Sequence, residues 1–234
     1  MATRRIIKDK DFGQIVIDTR RTARNITMRV RPDGLHVTVP PYSKTEKVMA
    51  TLETFRERLL EQYRKVEIRP IDFSYAIRTA CFRLWLEPSP LKCFTLKQTG
   101  EGICICCPAD VDFSCEQVQK LVRAAILRAL KKSAGSYLPP LLEALAERYG
   151  FSYRKVKITG ARSRWGSCSA AGTISLSCYL MLLPPHLMDY VLLHELSHTK
   201  EMNHGPRFWE LLDSLTEGKA LSLRAELRNY RPAF

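Results

Sequence analysis

Three of the five histidines in this 234-residue chain fall between His194 and His204. The core of that segment, His194-Glu195-Leu196-Ser197-His198, reads H-E-x-x-H. A helix turns about 100° per residue, so residues four apart share a face. On a helix, His194 and His198 each aim one ring nitrogen at a common point, which makes two corners of a tetrahedral zinc site. Glu195 lies one step round the helix, beside the metal and not on it, where it can take a proton from a metal-bound water. A catalytic zinc needs a third protein ligand and one open position, and His204 is the candidate for that ligand.

The interval His198-x5-His204 equals the separation of the last two histidines in the metzincin pattern H-E-x-x-H-x-x-G-x-x-H. Glu201 stands at the glycine position of that pattern, so the left-handed turn is expected elsewhere, at Asn203, because Asn tolerates positive φ. Gly205-Pro206 then closes the turn, and Pro206 suits the first turn of a helix carrying Phe208, Trp209, Leu211 and Leu212. Upstream, Pro184-Pro185 marks the start of the zinc helix, and Tyr190-Val191-Leu192-Leu193 gives it an apolar body.

A second motif precedes this one. Arg164-Trp165-Gly166-Ser167-Cys168 offers a glycine for a tight backbone path and a guanidinium fork for a carboxylate or phosphate. Trp165 can wall a cleft, and Arg164 is a candidate to assist an oxyanion. The plainer alternative is a structural loop with Trp165 packed under the zinc helix and Arg164 in solvent. Nothing marks Cys168 as an activated nucleophile.

Together, HELSHTKEMNHGPRFW, DYVLLHEL (189–196) and SRWGSCS (163–169) resemble the YgjP-like zinc metallopeptidases, relatives of the SprT-like and WLM-domain proteases. The resemblance covers nearly the whole chain. It implies that His194, His198 and His204 bind zinc and that Glu195 is the catalytic base. Ser177 departs from the family pattern, which has Asn there.

Around these motifs the chain reads as α+β. Gln14–Asp18 is a β-branched run. Ile26, Met28 and Val30 alternate with polar residues, and so do Leu35, Val37 and Val39, with Pro32-Asp33-Gly34 as the turn between them. His36 falls on the polar phase and reads as a surface residue. Ser43 with Glu46 has the form of a capping box opening a helix with Val48, Leu52, Phe55 and Leu59 on one stripe. Residues 73–107 read as a second small β set, in which Phe82, Leu84 and Leu86 alternate with Arg83 and Trp85. In that set Cys104 and Cys106 share a face and Cys107 points away. With no C-x-x-C pair, buried apolar thiols are expected there, not a metal site. Ser114 with Gln117 reads as another capping box. Its helix carries Val118, Leu121, Val122, Ala125 and Ala129, is interrupted at Pro139-Pro140 and is followed by Leu141–Tyr149 ending at Gly150. Strands are expected at Lys155–Ile158 and Thr173–Ser177. No internal repeat is evident. The expected organisation is a β-rich part with one helix over residues 1–110 and a zincin-like part over 111–234. In the second part the H-E-x-x-H helix lies against a small sheet.

Hydrophobic residues make up 45% of the chain, enough for a sizeable core, and no apolar run approaches the roughly 20 residues of a membrane span. The basic amino-terminal residues lack an apolar signal segment, so the expected compartment is the cytoplasm and the eight cysteines are expected as thiols. The net charge of +13 favours contact with phosphates, nucleic acid or acidic proteins. Three functions fit. Hydrolysis of a protein or peptide by zinc with Glu195 as base comes first. A zinc-dependent nucleotide or phosphoester hydrolase would use the same centre. A basic nucleic-acid-associated module with a structural zinc has no use for Glu195 and normally needs four protein ligands.

Overall fold

A computed structural model of the chain describes residues 4–31, 34–65 and 71–231. The chain divides into two compact units, Met1–Arg69 and Pro70–Phe234. The division expected near residue 111 falls inside the second unit. The physical reason is shared burial: Leu84, Leu86, Ile103, Ile105 and Cys107 lie in one apolar core with the residues around the H-E-x-x-H segment. The architecture is mixed α+β, as the periodicity predicts, with three sheets and five α-helices among the described residues.

In the first unit, β1 (Arg4–Asp9), β2 (Gly13–Thr19), β3 (Thr27–Arg31) and β4 (Gly34–Val39) form a sheet of order β1-β2-β4-β3. The outer pairs are antiparallel and β2 runs parallel to β4. Helix α1 (Thr45–Lys65) covers it, burying Val48, Leu52 and Leu59 with Phe12, Ile15, Leu35 and Val37. Phe55 is on the open side of the stripe, 46% exposed. The Ser43 capping box does not form, because the Ser43 hydroxyl donates back to the Pro40 carbonyl (2.9 Å). The strand β1 lacks an alternating signal: its charged edge positions are mostly exposed. The expected turn at Pro32-Asp33 lies outside the described residues.

The second unit begins with the same topology. Strands β5 (Ala76–Arg78), β6 (Arg83–Ser89), β7 (Thr95–Gln98) and β8 (Ile103–Pro108) are ordered β5-β6-β8-β7, again antiparallel, parallel, antiparallel, and are followed by a helix. An internal repeat is therefore present where none is evident from composition. Gly34 and Gly102, at the start of the fourth strand in each copy, both have positive φ, and a Cβ on either would strike the backbone carbonyl of Gln14 or Arg83. Only glycine permits that approach. The repeat is visible in retrospect as Gly34-x5-Pro40 and Gly102-x5-Pro108.

Helix α2 (Glu116–Tyr149) runs unbroken through Pro139 and Pro140. The prolines remove two N–H donors, yet the buried stripe Val122, Ile126, Ala129, Leu130, Ala134, Leu138, Leu142, Ala146 continues across them. Packing along the whole stripe outweighs the local penalty of about 3 kcal/mol per interior proline. Its start is uncapped by Ser114, which bonds Asp112 instead, and Gly150 ends it in a left-handed conformation as expected. A small sheet follows, with β9 (Lys155–Thr159), β10 (Gly166–Cys168) and β11 (Thr173–Ser177) in the order β10-β11-β9. After a short 3-10 turn come α3 (Pro185–Ser197), α4 (Pro206–Leu215) and α5 (Ala220–Leu227). No described helix is long and apolar enough to cross a membrane.

In the first unit Arg56, paired with Glu53 on the same helix (2.8 Å), ties α1 to the β1–β2 turn through Asp9 (2.9 Å) and Asp11 (2.6 Å). The Arg56 guanidinium, helped by the Asp11 and Phe12 amides, lowers the Asp9 pKa from 3.8 to about 2. A depressed carboxyl pKa stabilises the fold above the unfolded value near 4 and ceases to do so as pH falls through 2. The size is about 2 kcal/mol. An NMR titration should place the Asp9 carboxyl midpoint near 2 in the parent and near 4 in Arg56→Ala. Equal midpoints would show that Arg56 does not hold it.

Candidate metal centre

Helix α3 starts at Pro185, in the first turn where a missing N–H costs nothing, and is buried around almost its whole circumference. Leu187, Met188, Val191, Leu192 and Leu196 fix it in the core, so His194, Glu195 and His198 are carried in at set heights. The chain then turns without any left-handed residue: Asn203 and Glu201 are not among the residues of positive φ. The turn is made by stacked backbone bonds instead, from Thr199 to the Leu196 carbonyl (2.9 Å) and from Lys200 and Glu201 to that of Ser197 (3.1 and 2.9 Å). The Ser197 and Thr199 hydroxyls bond the Leu193 and Leu196 carbonyls, at 2.8 and 2.7 Å.

This brings the three imidazoles together. Their potential ligand atoms all lie within 4.8 Å of one another. His204 Nε2 and His194 Nε2 are 3.1 Å apart, close to the roughly 3.3 Å edge of a tetrahedron with 2.0–2.1 Å metal–nitrogen bonds. His198 Nδ1 lies 3.1 Å from the Glu201 carbonyl. Donation there leaves Nε2 unprotonated and facing the cluster, the usual outer support of a ligating imidazole. Phe208, fully buried on α4, packs against all three rings at 4.6–4.9 Å between centroids. Trp209 donates its indole N–H to the His204 carbonyl (3.2 Å). Burial, then the neighbouring imidazoles, drives the His194 pKa down to about 3, and burial lowers that of His198. Both rings are therefore neutral at pH 7, the form that ligates a metal.

Glu195 is 5% exposed and pressed against the second motif. A Cβ built on Gly166 would lie 2.5–2.7 Å from the Glu195 carboxyl and Cγ, so a side chain there would displace it. Burial pushes the Glu195 pKa up to about 8, opposed by the Arg164 charge. A divalent cation held by the imidazoles would draw that value back down. The buried Glu195 Oε2 and His194 Nδ1 have no hydrogen-bond partner among the described residues, and such buried polar atoms are rare without a function. Three imidazoles with an adjacent carboxyl fit a divalent cation with an open position.

A family profile described as "YgjP-like, metallopeptidase domain" matches residues 24–230. The chain belongs to the YgjP-like family. Among solved structures, this YgjP-like chain is similar to the metallopeptidase zymogen of Pyrococcus abyssi, abylysin, at 26% identity over 38% of this chain and 90% of that one, with a TM-score of 0.35. No curated protein matches.

The remaining sequence candidates are placed as follows. Arg164 is exposed, and Trp165 is half-buried against the core of the second unit. Ser177 is buried; its hydroxyl donates to the Ala161 carbonyl (2.7 Å) and accepts from the Tyr179 amide (3.3 Å), capping the 3-10 turn. Ser and Asn are both good caps, which accounts for the family departure. Burial and then the Glu195 charge raise the Cys168 pKa, the reverse of activation. Cys104 and Cys107 are buried and pushed up to about 12 and 11, so the 103–107 segment carries apolar thiols as expected. Sequence reading missed the bracing role of Phe208 and the contact between Gly166 and Glu195. Neither had a local signal: Phe208 reaches the rings across the turn from α4, and Gly166 and Glu195 are far apart in the chain.

Gly166→Ala should leave metal content unchanged and cut catalytic turnover about 100-fold, because an ångström-scale misplacement of a reacting group is that costly. Elemental analysis beside a kinetic assay checks this; unchanged turnover would show that the carboxyl position is not critical.

Proposed function

We propose that the protein is a zinc metallopeptidase in which His194, His198 and His204 hold the metal and Glu195 is the general base. The observation that carries the reading is the convergence of three imidazoles, two of them held neutral by burial, beside one buried, unpartnered carboxyl. Zinc at such a position polarises a carbonyl and lowers the pKa of a water to near 7. Glu195 accepts the proton of the attacking water, and its buried carboxyl then returns that proton to the leaving amine. Gly166 keeps the carboxyl in place and β10, an edge strand, runs beside it. An extended peptide can pair with such an edge, which supports peptide over phosphoester as substrate. Against a structural zinc, a fourth ligand is missing: among the described residues the cluster holds three. Eight free thiols support a cytoplasmic location.

Two variants test the assignment. His198→Ala should strip most of the zinc from the purified protein. Glu195→Gln should keep zinc and fold but lose about 10²–10⁴-fold in turnover, since Gln cannot take the proton. Turnover of the Gln variant within about threefold of the parent would remove Glu195 as the base. Casein-type proteins and nucleoside triphosphates assayed side by side separate the two hydrolase chemistries: release of phosphate with no peptide cleavage would overturn the peptidase reading.

A further inference from the structure

The greatest concentration of charge near the centre lies off α3. A pocket of about 500 Å³ is lined by Arg162, Arg164, Arg224, Arg228 and Arg231. None of its other lining residues is acidic, and Trp165 and Tyr230 supply aromatic walls. Two of the arginines come from the loop between β9 and β10. The other three stand at i, i+4 and i+7 on α5 and the turn that extends it, where the Arg228 and Tyr230 amides bond the Ala225 and Leu227 carbonyls. That spacing puts Arg224 and Arg228 on one face, and the chain leaving the turn brings Arg231 to the same pocket.

Both walls are anchored. Arg162 Nε donates to the hydroxyl of the buried Tyr179 (3.0 Å), and the Ser177 amide donates to the Trp165 carbonyl (2.8 Å). On the other side His186, at the start of α3, bonds Glu226 of α5 at 2.8 Å. Among the described residues no ion pair is made by Arg164, Arg224, Arg228 or Arg231. Five like charges line one concavity without an acidic residue among its walls. Concave, positively charged walls focus the field on an incoming anion.

The pocket adjoins the metal centre. Arg164 is two residues from Gly166, on which the Glu195 carboxyl rests. The Arg224 guanidinium lies 5.0 Å over the Trp209 ring, whose centroid is 6.0 Å from that of His204. A ligand spanning the centre therefore meets the arginines. Guanidinium forks pair with carboxylates in two-point geometry, and the anions a peptide carries are carboxylates.

We infer that this pocket is a subsite for a carboxylate of the peptide substrate, on an acidic side chain or at the peptide's own C-terminus. The inference rests on the peptidase reading and makes the protein selective for acidic or carboxyl-terminal segments.

The test is binding, measured by fluorescence anisotropy on the zinc-loaded Glu195→Gln chain. The probes are dye-labelled peptides identical except for an internal Glu or Gln and a free or amidated C-terminus. The subsite should favour at least one carboxylate form by about tenfold, with the advantage shrinking as salt rises. The Glu/Gln pair reports a side-chain ligand and the acid/amide pair a terminal one. Arg228→Glu should abolish the preference, and Arg231→Glu serves as an independent variant should Arg228→Glu fail to fold. Equal binding of all the peptides would overturn the inference, as would a preference that survives both charge reversals. Tight binding of an oligonucleotide with no preference among the peptides would also overturn it and assign the pocket to nucleic acid. Peptide cleavage by the parent is scored separately: a carboxylate preference without any cleavage leaves the subsite standing and removes the peptidase reading, whereas cleavage without preference does the reverse.

Discussion

Desolvation of α3 is the constraint on which the site depends. The helix is apolar on nearly every side, yet it carries a carboxyl and two imidazoles into the interior. Burying an ionised group costs several kcal/mol unless a partner offsets it, so each group is pushed to its uncharged form. For the imidazoles this is the ligating form. For Glu195 it is the protonated form, which cannot act as a base. A cation shared between them resolves the conflict, since it uses the nitrogen lone pairs and favours the carboxylate. The polypeptide supplies the unfavourable half of that balance, and the fit to a metal follows from it.

Holding the groups in this state requires rigid neighbours. Phe208 closes the cluster from α4, Gly166 closes it from β10, and the Glu201 carbonyl orients His198. The first two contacts join α3 or its exit to a different element, and the third lies within the exit itself. The turn after His198 is closed by short backbone and hydroxyl bonds, which explains how His204 reaches the cluster with glutamate at the position where the related pattern has glycine.

What could be read from the sequence follows the range of the forces involved. The H-E-x-x-H face depends on a period of 3.6 residues and was legible, as were the alternating strands β3, β4, β6 and β11. Ser43 and Ser114 were misleading because a hydroxyl has several local acceptors: Ser43 took a turn carbonyl and Ser114 an aspartate. Pro139-Pro140 misled because the local penalty is visible in sequence and the burial of Leu138 and Leu142 is not. The packing of β6 and β8 was hidden for the same reason: they look like a separate set until their inner faces are seen in the core of the second unit. Arg224, Arg228 and Arg231 drew no reading from the sequence, because their meaning depends on the loop that faces them.

The repeated topology shows how one arrangement serves two ends. In the first unit a four-stranded sheet and a 21-residue helix close a small core of their own. In the second, the corresponding helix is 34 residues long. Its first half covers the sheet, as α1 does, and its continuation past the prolines extends the buried stripe through Leu138, Leu142 and Ala146 into the core that holds α3. A break at Pro139 would have left the sheet covered and the metal helix unsupported. The unbroken α2 is thus what couples a generic scaffold to the core that holds α3, and its tolerance of two interior prolines reflects how much apolar surface that coupling buries.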